Sequence, residues 1–152
     1  MVDVPVEEYL CTRIRRAEQA LMAHHEAVLR TYGLTMTQYT VLLTLSREAA
    51  MSGAQLARAC GVTQQSMATV LTGMQNKKLI DREPSPVHAK VMITSLTAAG
   101  RELLDRAYGE VVVLERALTD RFTNEEHRLL CELLDRATVT LVEQTPTAHP
   151  TR

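Results

Sequence analysis

Gln64, Gln65, Ala68, Thr69, Thr72 and Gln75 fall on one side of a helical period, opposite Met67, Val70, Leu71 and Met74. A glutamine amide can pair bidentately with an adenine edge, and threonine or alanine methyls can meet a thymine methyl. Thr63 and Ser66 stand at the start of the same run, where hydroxyls and free backbone N–H groups can meet phosphate. Ser52, which starts the preceding helix, is assigned to the same surface. Lys77, Lys78, Arg82, His88 and Lys90 follow beyond its far end, suited to backbone phosphates rather than bases. Small polar residues also suit any solvated helix face, so this pattern needs its context.

Other chemistries find little footing. The sequence holds no phosphate loop, no GxSxG elbow and no clustered carboxylate pair, so no catalytic residues and no enzyme are expected. His24 and His25 cannot both face one site, and no HxxxH or HExxH spacing occurs, so neither a metal nor another cofactor is expected. Cys11, Cys60 and Cys131 are too widely spaced for a metal knuckle or a disulfide framework. All three read as small apolar fillers; for Cys11 this competes with a redox role, since Arg15 one turn on could lower its thiol pKa.

The elements that must position these residues are legible as changes of period. Glu8 to Tyr32 reads as a long helix stopped by Gly33. Thr37 is the expected cap of a second helix with Val41, Leu42 and Leu45 inward; Ser52 caps a third, ended by Gly61; Thr63 caps a fourth, running to about Lys78. Leu79–Glu83 and Lys90–Thr94 then read as short strands, joined by a turn from Pro84 to Ala89. Helix returns from Thr97 to Leu118, and again from a Thr123/Glu126 capping box to about Gln144. The tail 145–152, with Pro146 and Pro150, is expected to be flexible.

Ser52 to Thr63, followed by an amphipathic helix, is a helix-turn-helix signature: Ala57 lets the helices cross closely, Gly61 suits the left-handed turn, and Val62 fills the gap between them. A hairpin directly after it is a wing. The fold class expected is therefore mainly α with a small β-hairpin wing, a winged helix-turn-helix. Over nearly its whole length the chain resembles the MarR family. The resemblance rests on Gly33–Leu42, on Leu56-Ala57 with Val62-Thr63, on Leu79–Arg82, and on Leu96–Gly100 after the wing. It implies a DNA-binding lobe over 34–96 within one domain spanning 1–144, and a homodimer joined through helices at 8–33 and 97–144. It also implies a transcriptional regulator on pseudo-palindromic double-stranded DNA, a repressor released by a small aromatic or phenolic effector. Within that frame His25, Tyr32, Met36 and Tyr39 are candidate effector contacts.

Two departures accompany the resemblance. Where relatives carry Asp-Arg-Arg at the wing tip, this chain has His88-Ala89-Lys90, so the arginine credited with minor-groove insertion falls on Ala89. Cys11 sits at the spacing from Gln38 used by the peroxide-sensing branch, but that branch's tyrosines fall on His25 and Met36. Alternatives follow from each: a winged-helix interaction module without DNA binding, or a thiol-based regulator using Cys11. A packed, inert Cys11 is the preferred expectation.

Composition bounds the rest. The 152 residues are 45% hydrophobic, enough for a real core, with no uninterrupted apolar run near the ~18 residues of a membrane span. Met1 to Glu8 lack the basic start and apolar run of a signal peptide, so a cytoplasmic location and no membrane partner are expected. Net charge is -1, yet residues 34–100 carry a local balance of +3 between mildly acidic ends. The leucine stripe of Leu129, Leu130, Leu133, Leu134, Ala137 and Leu141 reads as a surface for a partner chain.

Overall fold

Among the described helices, all but the first begin where a side-chain oxygen closes the first turn. In the computed structural model, which describes residues 9–88 and 90–144, α1 spans Leu10–Thr31 and α2 Met36–Arg47. A two-residue strand β1, Met51–Ser52, precedes α3 at Gly53–Ala59 and α4 at Gln64–Asn76. Strands β2 (Ile80–Pro84) and β3 (Met92–Leu96) form the wing, and α5 (Ala98–Thr119) and α6 (Asn124–Glu143) complete the chain. The expectations for residues 1–8, for Ala89 and for the 145–152 tail lie outside the described residues.

Three starts are reciprocal capping boxes: Thr35 with Gln38, Ser52 with Gln55, and Thr123 with Glu126. Thr35, not Thr37, therefore caps α2. Its hydroxyl accepts from the Gln38 N–H at 3.2 Å while the Gln38 amide oxygen accepts from the Thr35 N–H, also at 3.2 Å. Thr37 already lies within the first turn, so its hydroxyl cannot serve the same orphan donors. At Thr123 the same reciprocity pulls the Glu126 carboxyl below its ordinary range, through the backbone and hydroxyl donors of Thr123.

Three ends share one geometry as well. Behind α1, α3 and α4 the chain turns through a left-handed residue, Gly33 (φ 64°), Gly61 (φ 64°) and Lys78 (φ 58°). The next residue's N–H reaches back five positions each time: Leu34 to Leu29, Val62 to Ala57, Leu79 to Met74. Glycine adopts this conformation without steric cost; Lys78 does not.

The sheet order is β1-β3-β2, all antiparallel. Met51 and Ser52 pair with Thr94 and Ile93, a third strand that the sequence reading missed because two residues carry no period. The wing strands begin later than expected. Pro84 is the last residue of β2, opposite Met92, rather than the first of the turn. A proline is tolerated at a strand end, where its missing N–H interrupts nothing further. Beyond it the Ser85 hydroxyl accepts from the N–H groups of Val87 and His88, which closes the turn.

Two compact units meet after Val111, partway along α5. The first holds the core: Leu29, Leu34, Val41, Leu42 and Leu45 from the N-terminal helices, Leu56, Met67, Leu71 and Met74 from α3 and α4, and Leu79, Ile80 and Leu104 behind them. Each such side chain contributes about 1.5–3 kcal/mol by leaving water. Gly100 is required by the packing at the start of α5, because a β-carbon there would overlap the Leu79 carbonyl oxygen.

The second unit contains α6, none of whose residues is buried within the chain. Cys131 is thus exposed rather than a core filler, and Cys11 on α1, where only Leu29 is buried, is exposed rather than packed. Both corrections have one cause: an apolar period does not by itself make a face buried, and only Leu29 of α1 and no residue of α6 is buried. Cys60 is half-buried against the core, and burial pushes its thiol pKa up, away from reactivity.

Candidate nucleic-acid interface

Burial divides α4 into two faces. Met67, Leu71 and Met74 are buried with Val70 packed beside them, while Gln64, Gln65, Ser66, Ala68, Thr69, Thr72 and Gln75 are exposed. Leu56 and Ala57 of α3 lie buried in the same core, and Val62 is half-buried against it. The outward direction of the polar face therefore follows from the apolar one: rotating α4 to hide the glutamines would expose three core side chains.

Hydrogen bonding then decides what each outward residue can offer. The Thr63 hydroxyl accepts from the Ser66 N–H at 3.1 Å and donates to the Ser66 hydroxyl at 2.9 Å. Both functions of Thr63 are used, whereas Ser66 keeps its own proton for an outside acceptor. The N–H groups of Gln64 and Gln65, in the first turn, have no intrahelical partner and carry the positive end of the helix dipole. The Thr69 and Thr72 hydroxyls donate back to the carbonyls of Gln65 (3.3 Å) and Ala68 (2.9 Å). These two threonines therefore present a methyl and an acceptor, not a donor, to anything facing α4. The amides of Gln64, Gln65 and Gln75 are left as the two-way hydrogen-bonding groups of the face.

The remaining candidates scatter more widely. The Ser52 hydroxyl donates to the Gln55 amide oxygen at 2.8 Å and accepts the Gln55 N–H at 3.3 Å, so it is engaged in capping α3. Lys77 sends its ammonium to the Gly33 carbonyl at 2.8 Å and ties the end of α4 to the α1–α2 turn. Nothing in the sequence signals that clasp, which joins residues 44 positions apart. Lys78 keeps an exposed side chain, and its carbonyl accepts from the Thr97 hydroxyl at 2.8 Å. Arg82 is half-buried in β2 opposite Thr94, with His88 and Lys90 exposed at the wing turn.

The effector candidates lie along α1 and α2. His25, Tyr32 and Met36 are half-buried and Tyr39 is buried. Burial raises the Tyr39 phenol pKa, Tyr108 adds to that, and Arg47 opposes it. The His24 and His25 rings meet edge-on at 6.3 Å. Among the described residues, no three His, Cys, Asp or Glu side chains gather as a metal site would require.

Comparison with known proteins places this geometry. Residues 32–90 match the model of the MarR family. The HTH-type transcriptional repressor Rv2887 of Mycobacterium tuberculosis (strain ATCC 25618 / H37Rv) is 31% identical over 121 residues, covering 80% of this chain and 87% of that protein. Its crystal structure in complex with p-aminosalicylic acid superposes with a TM-score of 0.66 at 29% identity, covering 86% of this chain and 98% of that one. The homoprotocatechuate degradative operon repressor of Escherichia coli is 26% identical over 86% of this chain and 88% of its own. The repressor CouR, bound to a 23-mer DNA duplex, shares the fold with a TM-score of 0.77 at 24% identity, covering 88% of this chain and 94% of that one.

Proposed function

The chain belongs to the MarR family of transcriptional regulators, and from that premise we propose a homodimeric repressor that holds a pseudo-palindromic operator and releases it on binding a small aromatic or phenolic effector. The observation that carries the reading is the two-faced α4, buried through Met67, Leu71 and Met74 and presenting unengaged glutamine amides outward. In this reading α4 enters the major groove, with Gln64, Gln65, Thr69 and Thr72 at base edges and Ser66 with the first-turn N–H groups on phosphate. Thr63 and Ser52 hold helix starts in place. Lys78, Arg82, His88 and Lys90 contact the backbone, and Lys77 acts through its clasp on Gly33.

The lobe over 34–96 would bind DNA, and the helices over 8–33 and 97–144 would join two copies. A dimer sets its two recognition helices about one helical turn of DNA, roughly 34 Å, apart, which is why the operator should be pseudo-palindromic. The effector would meet His25, Tyr32, Met36 and Tyr39. Rv2887 in complex with p-aminosalicylic acid and a relative named as repressor of a homoprotocatechuate operon support an aromatic acid as its class. No helix among the described residues is long and apolar enough to cross a membrane, and the proposed place of action is the cytoplasm. A mobility-shift assay on the gene's own promoter region, repeated with phenolic acids, tests the reading. A discrete shift reversed by at least one acid is expected. Equal binding to promoter and scrambled DNA would overturn it.

A further inference from the structure

From Gln64 to Asn76, α4 carries no charged residue. Its exposed Gln65, Thr69, Thr72 and Asn76 recur at i, i+4, i+7 and i+11, on the side opposite the buried Met67, Leu71 and Met74. We infer that the operator base pairs facing α4 are A·T pairs, with Thr69 and Thr72 reading thymine 5-methyl groups and Gln65 the N6 and N7 edge of adenine. The inference rests on the DNA-binding reading and deepens it by naming the bases.

The helix lacks the side chains that G·C pairs call for. Guanine is recognised in the major groove by an arginine or lysine on O6 and N7, and cytosine by a carboxylate on its N4 amine. α4 has neither type of side chain. Lys77, which follows it, sends its ammonium to the Gly33 carbonyl at 2.8 Å and so does not supply the missing donor. Lys78 is the left-handed residue at which the chain turns away from the helix.

The threonines offer no donor either. Thr69 gives its hydroxyl proton to the Gln65 carbonyl at 3.3 Å and Thr72 to the Ala68 carbonyl at 2.9 Å. The lone pairs left on each hydroxyl accept equally from adenine N6 and cytosine N4, so the methyl sets the preference. Thymine is the base whose major-groove edge presents an apolar group, its 5-methyl. Ala68, also exposed, adds a further methyl to the face. Gln65 keeps both halves of its amide, and adenine presents the matching acceptor and donor. From Gln65 to Thr72 the helix rises about 10.5 Å, the length of about three base-pair steps. The row is long enough for a run of about three A·T pairs in each half-site.

The test enriches random-sequence duplexes on the full chain, then measures affinity for the enriched duplex with thymine and with uracil in its place. Half-sites holding a run of A·T pairs are expected. Uracil lacks only the 5-methyl group and should weaken binding about threefold to fivefold per contacted methyl. A variant with both Thr69→Ser and Thr72→Ser should bind the thymine duplex more weakly and lose most of the uracil penalty. The variant with Thr69→Val and Thr72→Val, which keeps the methyls, should retain it. Should the serine variant fail to fold, the enriched bases and the parent's uracil penalty decide. A penalty that persists unchanged in the folded serine variant belongs to duplex shape and overturns the inference. So do enriched half-sites without A·T runs, or equal affinity for the thymine and uracil duplexes; in either case sequence-specific DNA binding still stands. Enrichment of no sequence overturns the DNA-binding reading and this inference with it.

Discussion

Gln65 and Lys90 stand for the two kinds of DNA contact a single residue can make. Gln65 carries an unengaged amide on the outward face of α4, where both its donor and its acceptor can be spent on one base. Replacing it by alanine is expected to cost about 1–3 kcal/mol on the preferred operator and to relax base choice at one position per half-site. Lys90 is an exposed ammonium at the wing turn with no such directional pattern. Lys90→Ala should weaken all sequences alike and lower the slope of log affinity against log salt by roughly 1 per contact. Competition binding on cognate and scrambled duplexes over a salt series reads both. Equal losses on both duplexes for Gln65→Ala would show that it does not read bases. Thr69 and Thr72 differ in kind from Gln65, since their hydroxyl protons are spent on the helix; Thr72→Val should therefore change specificity less than Gln65→Ala does.

At the scale of elements, three helices end through a left-handed residue, and one of those residues is a lysine. Holding an L side chain at φ 58° costs about 1 kcal/mol, which glycine would avoid. Lys78→Gly is expected to raise stability by about 0.5–1 kcal/mol, and Lys78→Ala to leave it near the parent value, because alanine keeps the strain. Both remove the cation, so both should weaken DNA binding equally if Lys78 touches phosphate. Gly61→Ala is the converse and should destabilise by about 1 kcal/mol or more, although nothing would touch its added methyl. Denaturant unfolding at one fixed chain concentration checks the set. A Lys78→Gly protein no more stable than Lys78→Ala would show that the left-handed turn carries no such strain.

For the whole molecule the deciding fact is uncovered apolar surface. On α6, Leu129, Leu130, Leu133 and Leu134 remain 40–51% exposed and Val142 69%. Single apolar residues at a surface are ordinary, but a helix with no buried residue and this stripe is a face awaiting cover. A second copy of the chain supplies it under the proposed function. Sedimentation at micromolar concentration should give about twice the 17.0 kDa of one chain, and Leu133→Asp should shift the mass toward one chain. A parent protein that sediments as a monomer would remove the dimer and, with it, the paired half-sites.

The sequence by itself was sufficient for most of what depends on local period and local hydrogen bonding, the α2 cap at Thr35 rather than Thr37 excepted. The wing follows from a switch between 3.6 and 2 residues per repeat. The starts of α3, α4 and α6 follow from Ser52, Thr63 and Thr123, whose caps form within their own first turns, and the outward glutamines follow from the inward methionines. Tertiary structure alone decided what joins distant positions. The strand at Met51–Ser52 exists because β3 offers it Thr94 and Ile93. Lys77 turns from a phosphate to the Gly33 carbonyl because the α1–α2 turn lies beside the end of α4. Arg47 of α2 and Arg101 of α5, on separate helices, come to the rim of one cleft. Spacing along the chain reports which residues share a face, whereas the partner of each face is set by packing among segments far apart in sequence. For Cys11 and Cys131 the same limit worked in reverse: an apolar period shows that a stripe must be covered, not whether its own chain covers it.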